Sequence, residues 1–120
     1  MTVVILPLRL IILQPNSGEG LKRIDYRLKE WDQYVQKRLN ELSARKPVIY
    51  LGDLNVAHED LDIYNYGAPH LKKQAGVTPE ERNSHSEFLT TDFRDAFRFY
   101  YPSAYGQYTY WSQKTFARKD

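Results

Sequence analysis

The sequence predicts an α/β fold in which one long helix covers a small sheet. Three observations carry that expectation. The N-terminal residues MTVVILPLRLIILQ are β-branched or bulky and apolar. A single apolar stripe follows at intervals of three or four residues. A short unbroken apolar run, PVIYL, comes next. Strand, loop, helix, strand is the order of an α/β layer, and 120 residues suffice for one small domain with a core.

The N-terminal run reads as two strands, Thr2–Leu6 and Leu8–Gln14, broken by Pro7. Pro15-Asn16-Ser17-Gly18-Glu19-Gly20 is a loop by composition. Leu21, Ile24, Leu28, Trp31, Val35, Leu39 and Leu42 form the apolar face of a long amphipathic helix. Lys22, Arg23, Arg27, Lys29, Glu30, Asp32, Lys37 and Arg38 fall on the opposite face, whose mixed signs suit a solvated surface rather than a nucleic-acid stripe. Pro47–Leu51 has the length and composition of a strand buried on both faces. Asp60–Tyr64 is a helical turn and Asn65–Gly76 a loop. Thr78-Pro79-Glu80-Glu81 starts a helix running to about Leu89, with threonine as N-cap, proline at the first helical position and glutamate reaching back. A short helix over Asp92–Phe99, a turn over Pro102–Gln107 and a strand over Tyr108–Ser112 complete the reading.

Composition narrows the function classes. Hydrophobic residues make up 42% and charged residues 27%, which excludes a disordered tail. A formal charge of +2 neither demands nor resists a nucleic-acid partner. Cysteine is absent, which excludes disulfides and thiolate metal sites, so any cation needs oxygen or histidine ligands. The apolar N-terminus is too short to span a bilayer and lacks the features of a signal peptide. A nuclear or cytoplasmic protein, not secreted and with no membrane partner, is the expectation.

The candidate chemistry lies in Tyr50–Asp62, YLGDLNVAHEDLD. Open α/β sheets bind ligands at the C-terminal ends of their strands, where Asp53 and Asn55 stand. In isolation, Asp and Asn after a strand make local turns. A carboxylate at the rim of a buried strand is also a candidate base if partly desolvated, with Asn55 to orient it. Glu59, Asp60 and Asp62 read as a solvated turn, since the EF-hand pattern is not met. If the first strands neighbour Pro47–Leu51, Asn16 shares the edge with Asp53. His58, His70 and His85 show no metal spacing and read as surface or supporting residues. Lys72 and Lys73 suit either a phosphate backbone or a surface loop. Tyr100, Tyr101, Tyr105, Tyr108, Tyr110 and Trp111 are read as core in preference to a base-stacking platform.

Five segments, LQPNSGEGLKRIDYRLKEWD, ARKPVIYLGDLNVAHEDLD, KKQAGVTPEERNSHSEFL, DAFRFYYP and YTYWS, occur in this order and together resemble the exonuclease III-type apurinic/apyrimidinic endonucleases, from about Leu13 to Lys119. GDLN alone marks a wide superfamily of metal-dependent phosphodiesterases and phosphatases. GDLNVAHEDLD followed by AGVTPEER is much more specific to the DNA-repair branch. The resemblance implies an α/β fold of the four-layered sandwich type, the endonuclease/exonuclease/phosphatase fold, with residues 1–120 forming the middle portion of one such domain. It implies a magnesium-dependent hydrolase (manganese as an alternative) that cuts DNA 5′ to an abasic site in base-excision repair. Asp53 matches the aspartate that deprotonates the attacking water, and Asn55 the asparagine that steadies it and the phosphate. Asp53 and Asn55 are also the candidates for a secondary metal site. Asn16 matches a phosphate-contacting asparagine. Asn65 and Gln74, with Lys72 and Lys73, fall on the DNA-contacting loop, Gln74 in place of the more usual asparagine. Tyr110, beside Trp111, falls on the wall of the abasic-sugar pocket.

Leu13 stands where the family has a tyrosine. The family domain is longer, and its upstream segments with the metal-binding glutamate and its downstream Ser-Asp-His segment are not among these 120 residues. Reduced activity is therefore expected of the chain, with an exposed sheet face where a missing half-domain or protein partner would pack. A related phosphodiesterase such as a retroelement-type endonuclease, and a catalytically silent DNA- or partner-binding fragment, are the alternative readings.

Overall fold

The structure, a computed structural model, describes residues 7–111. Two parallel strands, β1 (Leu8–Ile11) and β2 (Val48–Leu51), pair in the register Leu8↔Val48 to Ile11↔Leu51. Between them runs helix α1, residues 24–43, as a parallel pair requires of its crossover. Pairing outlasts the regular strands: Ile12 N donates to Leu51 O at 2.9 Å and Gln14 N to Asp53 O at 2.9 Å. The expected strand to Gln14 is thus present as a ladder, four residues of it regular. The expected strand Thr2–Leu6 lies outside the described residues.

Helix α1 is interrupted by a π-turn, Arg27–Trp31, between Ile24–Tyr26 and Asp32–Ser43. The Trp31, Val35 and Leu39 part of its stripe packs as the spacing predicts, while Leu21 lies ahead of the helix in a 3₁₀ turn, Glu19–Leu21. Val35 and Leu39 are buried with Phe88 and Phe93, and Leu10, Ile12, Trp31, Val48, Tyr50 and Leu89 pack against them. Phe88 stacks on Phe93 at 4.7 Å between ring centroids, and Tyr50 meets Phe88 edge-on at 6.1 Å.

Helix α2 (Pro79–Phe88) starts as its sequence dictates. Thr78 Oγ1 accepts from Glu81 N at 3.2 Å, and the Glu81 carboxylate reaches back to Thr78 N. Helix α3 (Ala96–Tyr100) is shorter than expected, because Asp95 caps it by accepting from Arg98 N at 2.9 Å. Two 3₁₀ turns, Asp60–Asp62 and Pro69–Lys73, punctuate the β2–α2 connection.

Several expectations are corrected. Among the described residues β2 is covered on one face only, with Ile49 46% and Leu51 41% exposed, because α1 packs on the other face alone. Arg27 and Asp32, expected on a solvated face, are 2% and 4% exposed. Tyr108–Trp111 has no regular structure, and Ser112 lies outside the described residues. The C-terminal aromatics are no core: Tyr100, Tyr101, Tyr105, Tyr110 and Trp111 are exposed and only Tyr108 is partly covered. None of the described helices is long and apolar enough to cross a membrane.

Candidate active site

Parallel pairing of β1 and β2 brings their C-terminal turns side by side. The PN turn after β1 carries Asn16, and the GDLN turn after β2 carries Asp53 and Asn55. Asn16 Nδ2 donates to Asn55 Oδ1 at 3.0 Å, and Asn16 Oδ1 accepts from Gly18 N at 2.7 Å. Asn55 Nδ2 donates to Gln14 O at 2.8 Å, and Asn55 N donates to Asp53 Oδ1 at 3.0 Å. The three residues expected to share one edge are therefore joined in one chain of hydrogen bonds.

The turn needs special backbone. Asn55 has φ 46°, a left-handed conformation that Asn tolerates better than most residues. Gly52 has φ 138°, and a Cβ there would sit 1.9 Å from Ile12 O, so only glycine lets the strands approach so closely. Gly76 (φ 82°) lies against Asn55 O, and Ala57 N donates to Gly76 O at 2.8 Å. The end of the 65–76 loop is thereby sewn to the GDLN turn.

Buried polar groups that the sequence reading did not single out hold this edge in place. The Arg27 guanidinium donates to Asp32 Oδ1 (2.8 Å), Pro15 O (3.0 Å), Asn55 O (3.3 Å), Leu54 O (3.0 Å) and Gln14 Oε1 (2.6 Å). Gln14 Nε2 donates to the Tyr50 hydroxyl at 2.6 Å, and burial pushes that phenol above its usual pKa. Asp32 Oδ2 accepts from Ser84 Oγ of α2 at 2.7 Å. Glu81, 1% exposed, accepts from Gly76 N (2.7 Å), Thr78 Oγ1 (2.7 Å) and Ser17 Oγ. The only sequence signal was the capping box, which pointed to Glu81 for a different reason.

Asp53 itself is exposed, so burial by the described residues does not supply the expected desolvation. Gln74 is exposed two residues before Gly76 and so stands on the part of the loop sewn to the site, while Asn65 (φ 57°) and the exposed Lys72 and Lys73 stand farther along it. Tyr110 and Trp111 are exposed on the C-terminal segment. The histidines are not all surface groups. His58 meets His85 edge-on at 5.0 Å, and His58 Nε2 lies 2.7 Å from Ser86 Oγ. Burial, and then the His58 charge, lower the His85 pKa to about 4.

Among the described residues no three His, Asp or Glu side chains converge on a common point. Asp53 is the one carboxylate of the Asn16–Asp53–Asn55 group. Asp53 Oδ1, Asn55 Oδ1 and Asn16 Oδ1 already accept protein hydrogen bonds. Magnesium demands a near-octahedral oxygen shell. These residues do not fit a resident divalent cation by themselves.

The chain is 50% identical over 99 residues to a DNA-(apurinic or apyrimidinic site) endonuclease of Dictyostelium discoideum, covering 82% of this chain and 27% of that protein. It is 42% identical over 107 residues to an exodeoxyribonuclease of Bacillus subtilis, covering 89% of this chain and 41% of that one. The chain is a relative of the exonuclease III-type apurinic/apyrimidinic endonucleases. The chain superposes on the crystal structure of an AP endonuclease from Leishmania major with a TM-score of 0.80 at 32% identity, over 88% of this chain and 36% of that one. The chain thus spans 27–41% of the length of these three relatives. No family model matches it.

Proposed function

We propose that this chain is the middle portion of an apurinic/apyrimidinic endonuclease domain of the four-layered α/β sandwich type, which hydrolyses the DNA phosphodiester 5′ to an abasic site. The carrying observation is the hydrogen-bonded Asn16–Asn55–Asp53 edge at the C-terminal ends of two parallel strands. Phosphodiester hydrolysis needs a positioned water, a base and donors to the phosphate. Asp53 Oδ1 is engaged by Asn55 N, which fixes the carboxylate and leaves its second oxygen to take a proton from water. The water oxygen then bonds to phosphorus as the P–O3′ bond breaks, and the departing 3′ oxygen takes a proton from solvent to become a hydroxyl. Asn16 and Asn55 each carry a second amide N–H for the phosphate oxygens. Lys72, Lys73, Asn65 and Gln74 supply backbone contacts, and Tyr110 and Trp111 an apolar wall for the abasic sugar. Magnesium dependence is part of this reading, with the cation's principal ligands coming from outside the described residues. A nuclear or cytoplasmic site of action goes with it.

The test is a nicking assay on an oligonucleotide with one abasic site, using the full-length protein. Asp53→Asn is expected to lower kcat by at least about 100-fold, the low end for loss of a general base. Unchanged nicking by that variant overturns the assignment. Equal cleavage of intact and abasic DNA favours a retroelement-type endonuclease, and salt-dependent DNA binding without nicking favours a silent binding fragment. The 120-residue chain alone is expected to nick far more slowly than an intact relative, since losing several members of a cooperating site removes most of the catalysis.

A further inference from the structure

We propose that Arg27 is a positioning residue for this phosphodiesterase edge, setting the backbone of both turns that carry its amides; the inference rests on the endonuclease reading. The guanidinium reaches neither Asp53 nor an amide of Asn16 or Asn55. Three of its five acceptors are instead main-chain carbonyls of the two turns: Pro15 O, immediately before Asn16, and Leu54 O and Asn55 O, on either side of the Asn55 α-carbon. The fourth, Gln14 Oε1, belongs to the residue whose carbonyl accepts Asn55 Nδ2. Asn55 is thus held at φ 46° by a planar fork on its own and the preceding carbonyl. A sparsely populated backbone conformation persists where its surroundings over-determine it. Lysine has no such fork.

The π-turn serves the same end. Arg27 and Asp32 are five residues apart, which on a regular helix places them about 140° apart. In the π-turn Asp32 N donates to Arg27 O, and the two side chains come together with Nε 2.8 Å from Oδ1. The carboxylate compensates the buried guanidinium charge and is itself tied to α2 through Ser84 Oγ. The helix departs from regularity where it must aim a cation at the site, and such departures are frequent at functional sites.

Arg27→Lys and Arg27→Met in the full-length protein test this by amide hydrogen exchange and steady-state nicking of abasic DNA. In Arg27→Lys, the Asn55 and Gly18 amides are expected to exchange at least about tenfold faster, while Leu39 in the core keeps its protection. The value of kcat is expected to fall about 100-fold, the cost of a small misplacement, with KM changed by less than about threefold. If Arg27→Lys keeps wild-type kcat and Asn55 protection, the proposal is overturned. It is also overturned if protection falls uniformly and kcat only tracks the folded fraction, which is what a purely stabilising residue would give. Should Arg27→Met fail to fold, Arg27→Lys decides. Should the wild-type protein not nick abasic DNA, the endonuclease reading fails, while the exchange pattern still judges Arg27.

Discussion

Asp53 and Asn55 stand out in the sequence as a carboxylate and an amide after a strand-forming run, a pattern that alone reads as a turn, and the roles expected of them come from the resemblance. Their supports do not stand out. Arg27 and Asp32 sit in a run of charged residues and default to the solvated face, since charges are rarely buried unless paired. What buries them is the π-turn, a backbone register that side-chain periodicity does not encode. The role of Gly52 was not legible in the sequence, because it lies in the approach of Ile12 O to the place where a Cβ would sit. Gly52→Ala combines a disfavoured φ with a backbone clash, so it is expected to cost more than the ~1–3 kcal/mol of strain alone, read from the urea midpoint. His85 is another residue whose environment the sequence concealed. Its folded pKa of about 4 lies below the ordinary 6.5, so the unfolded chain binds the proton more tightly. Both states are neutral above pH 6.5, and stability is lost as the pH falls from there toward 4, by on the order of 3 kcal/mol. His58 in ring contact, and Asp32, Arg27 and Asp95 farther off, modulate that window. Thermal melts of wild type and His85→Leu between pH 7 and 4 check it: the variant is expected to lose the part of the slope that His85 causes.

At the scale of elements, the helices were read best where local chemistry decides them. The Thr78 box fixed the start of α2 to the residue. The α3 start was missed because Asp92 and Asp95 are both acceptable caps and only packing chooses Asp95. The acidic turn shows the same limit. Asp60 and Asp62 look like solvent-facing charges. In the structure, Asp60 Oδ1 accepts from Arg82 Nη2 of α2 at 2.6 Å, and Asp62 Oδ1 from Arg98 Nε of α3 at 3.0 Å. The turn is the point where both helices attach to the β2 connection. Glu81 does this most completely, because each of its partners is a donor from a different part of the chain: Ser17 from the PN turn, Gly76 from the loop, Thr78 from the cap. Glu81→Gln keeps one oxygen for Gly76 N and Thr78, turns its amide N–H groups toward Ser17 Oγ, and removes the charge that strengthens these hydrogen bonds. It is expected to destabilise the protein by roughly 2–3 kcal/mol, whereas Thr78→Ala, which removes one cap, is expected to cost about 1 kcal/mol. Equal urea midpoints for the two variants would show that Glu81 is only a capping residue.

At the scale of the molecule the governing fact is that the described residues cover one face of the sheet. Leu10, Val48 and Tyr50 point to α1, while Ile11, Ile49 and Leu51 alternate to the other side and stay exposed, Ile11 by 79%. The resemblance predicted an exposed sheet face in outline, whereas the apolar run PVIYL by itself predicted burial on both faces, and the described residues cover one. The radius of gyration, 16.0 Å, exceeds the about 13–14 Å of a self-contained domain of this length, in keeping with an incomplete core. A contiguous apolar face on a two-stranded sheet drives association in water. The 120-residue chain is therefore expected to self-associate as its concentration rises, in sedimentation velocity at micromolar concentrations. Ile11 and Leu51 are partners in register, so Ile11→Lys combined with Leu51→Glu places opposite charges side by side on that face without touching the α1 side. The double variant is expected to sediment as a monomer and to keep its helical circular dichroism. If it associates as strongly as the parent chain, the contact lies elsewhere, and the exposed C-terminal aromatics Tyr100, Tyr101 and Tyr105 become the surface to change next.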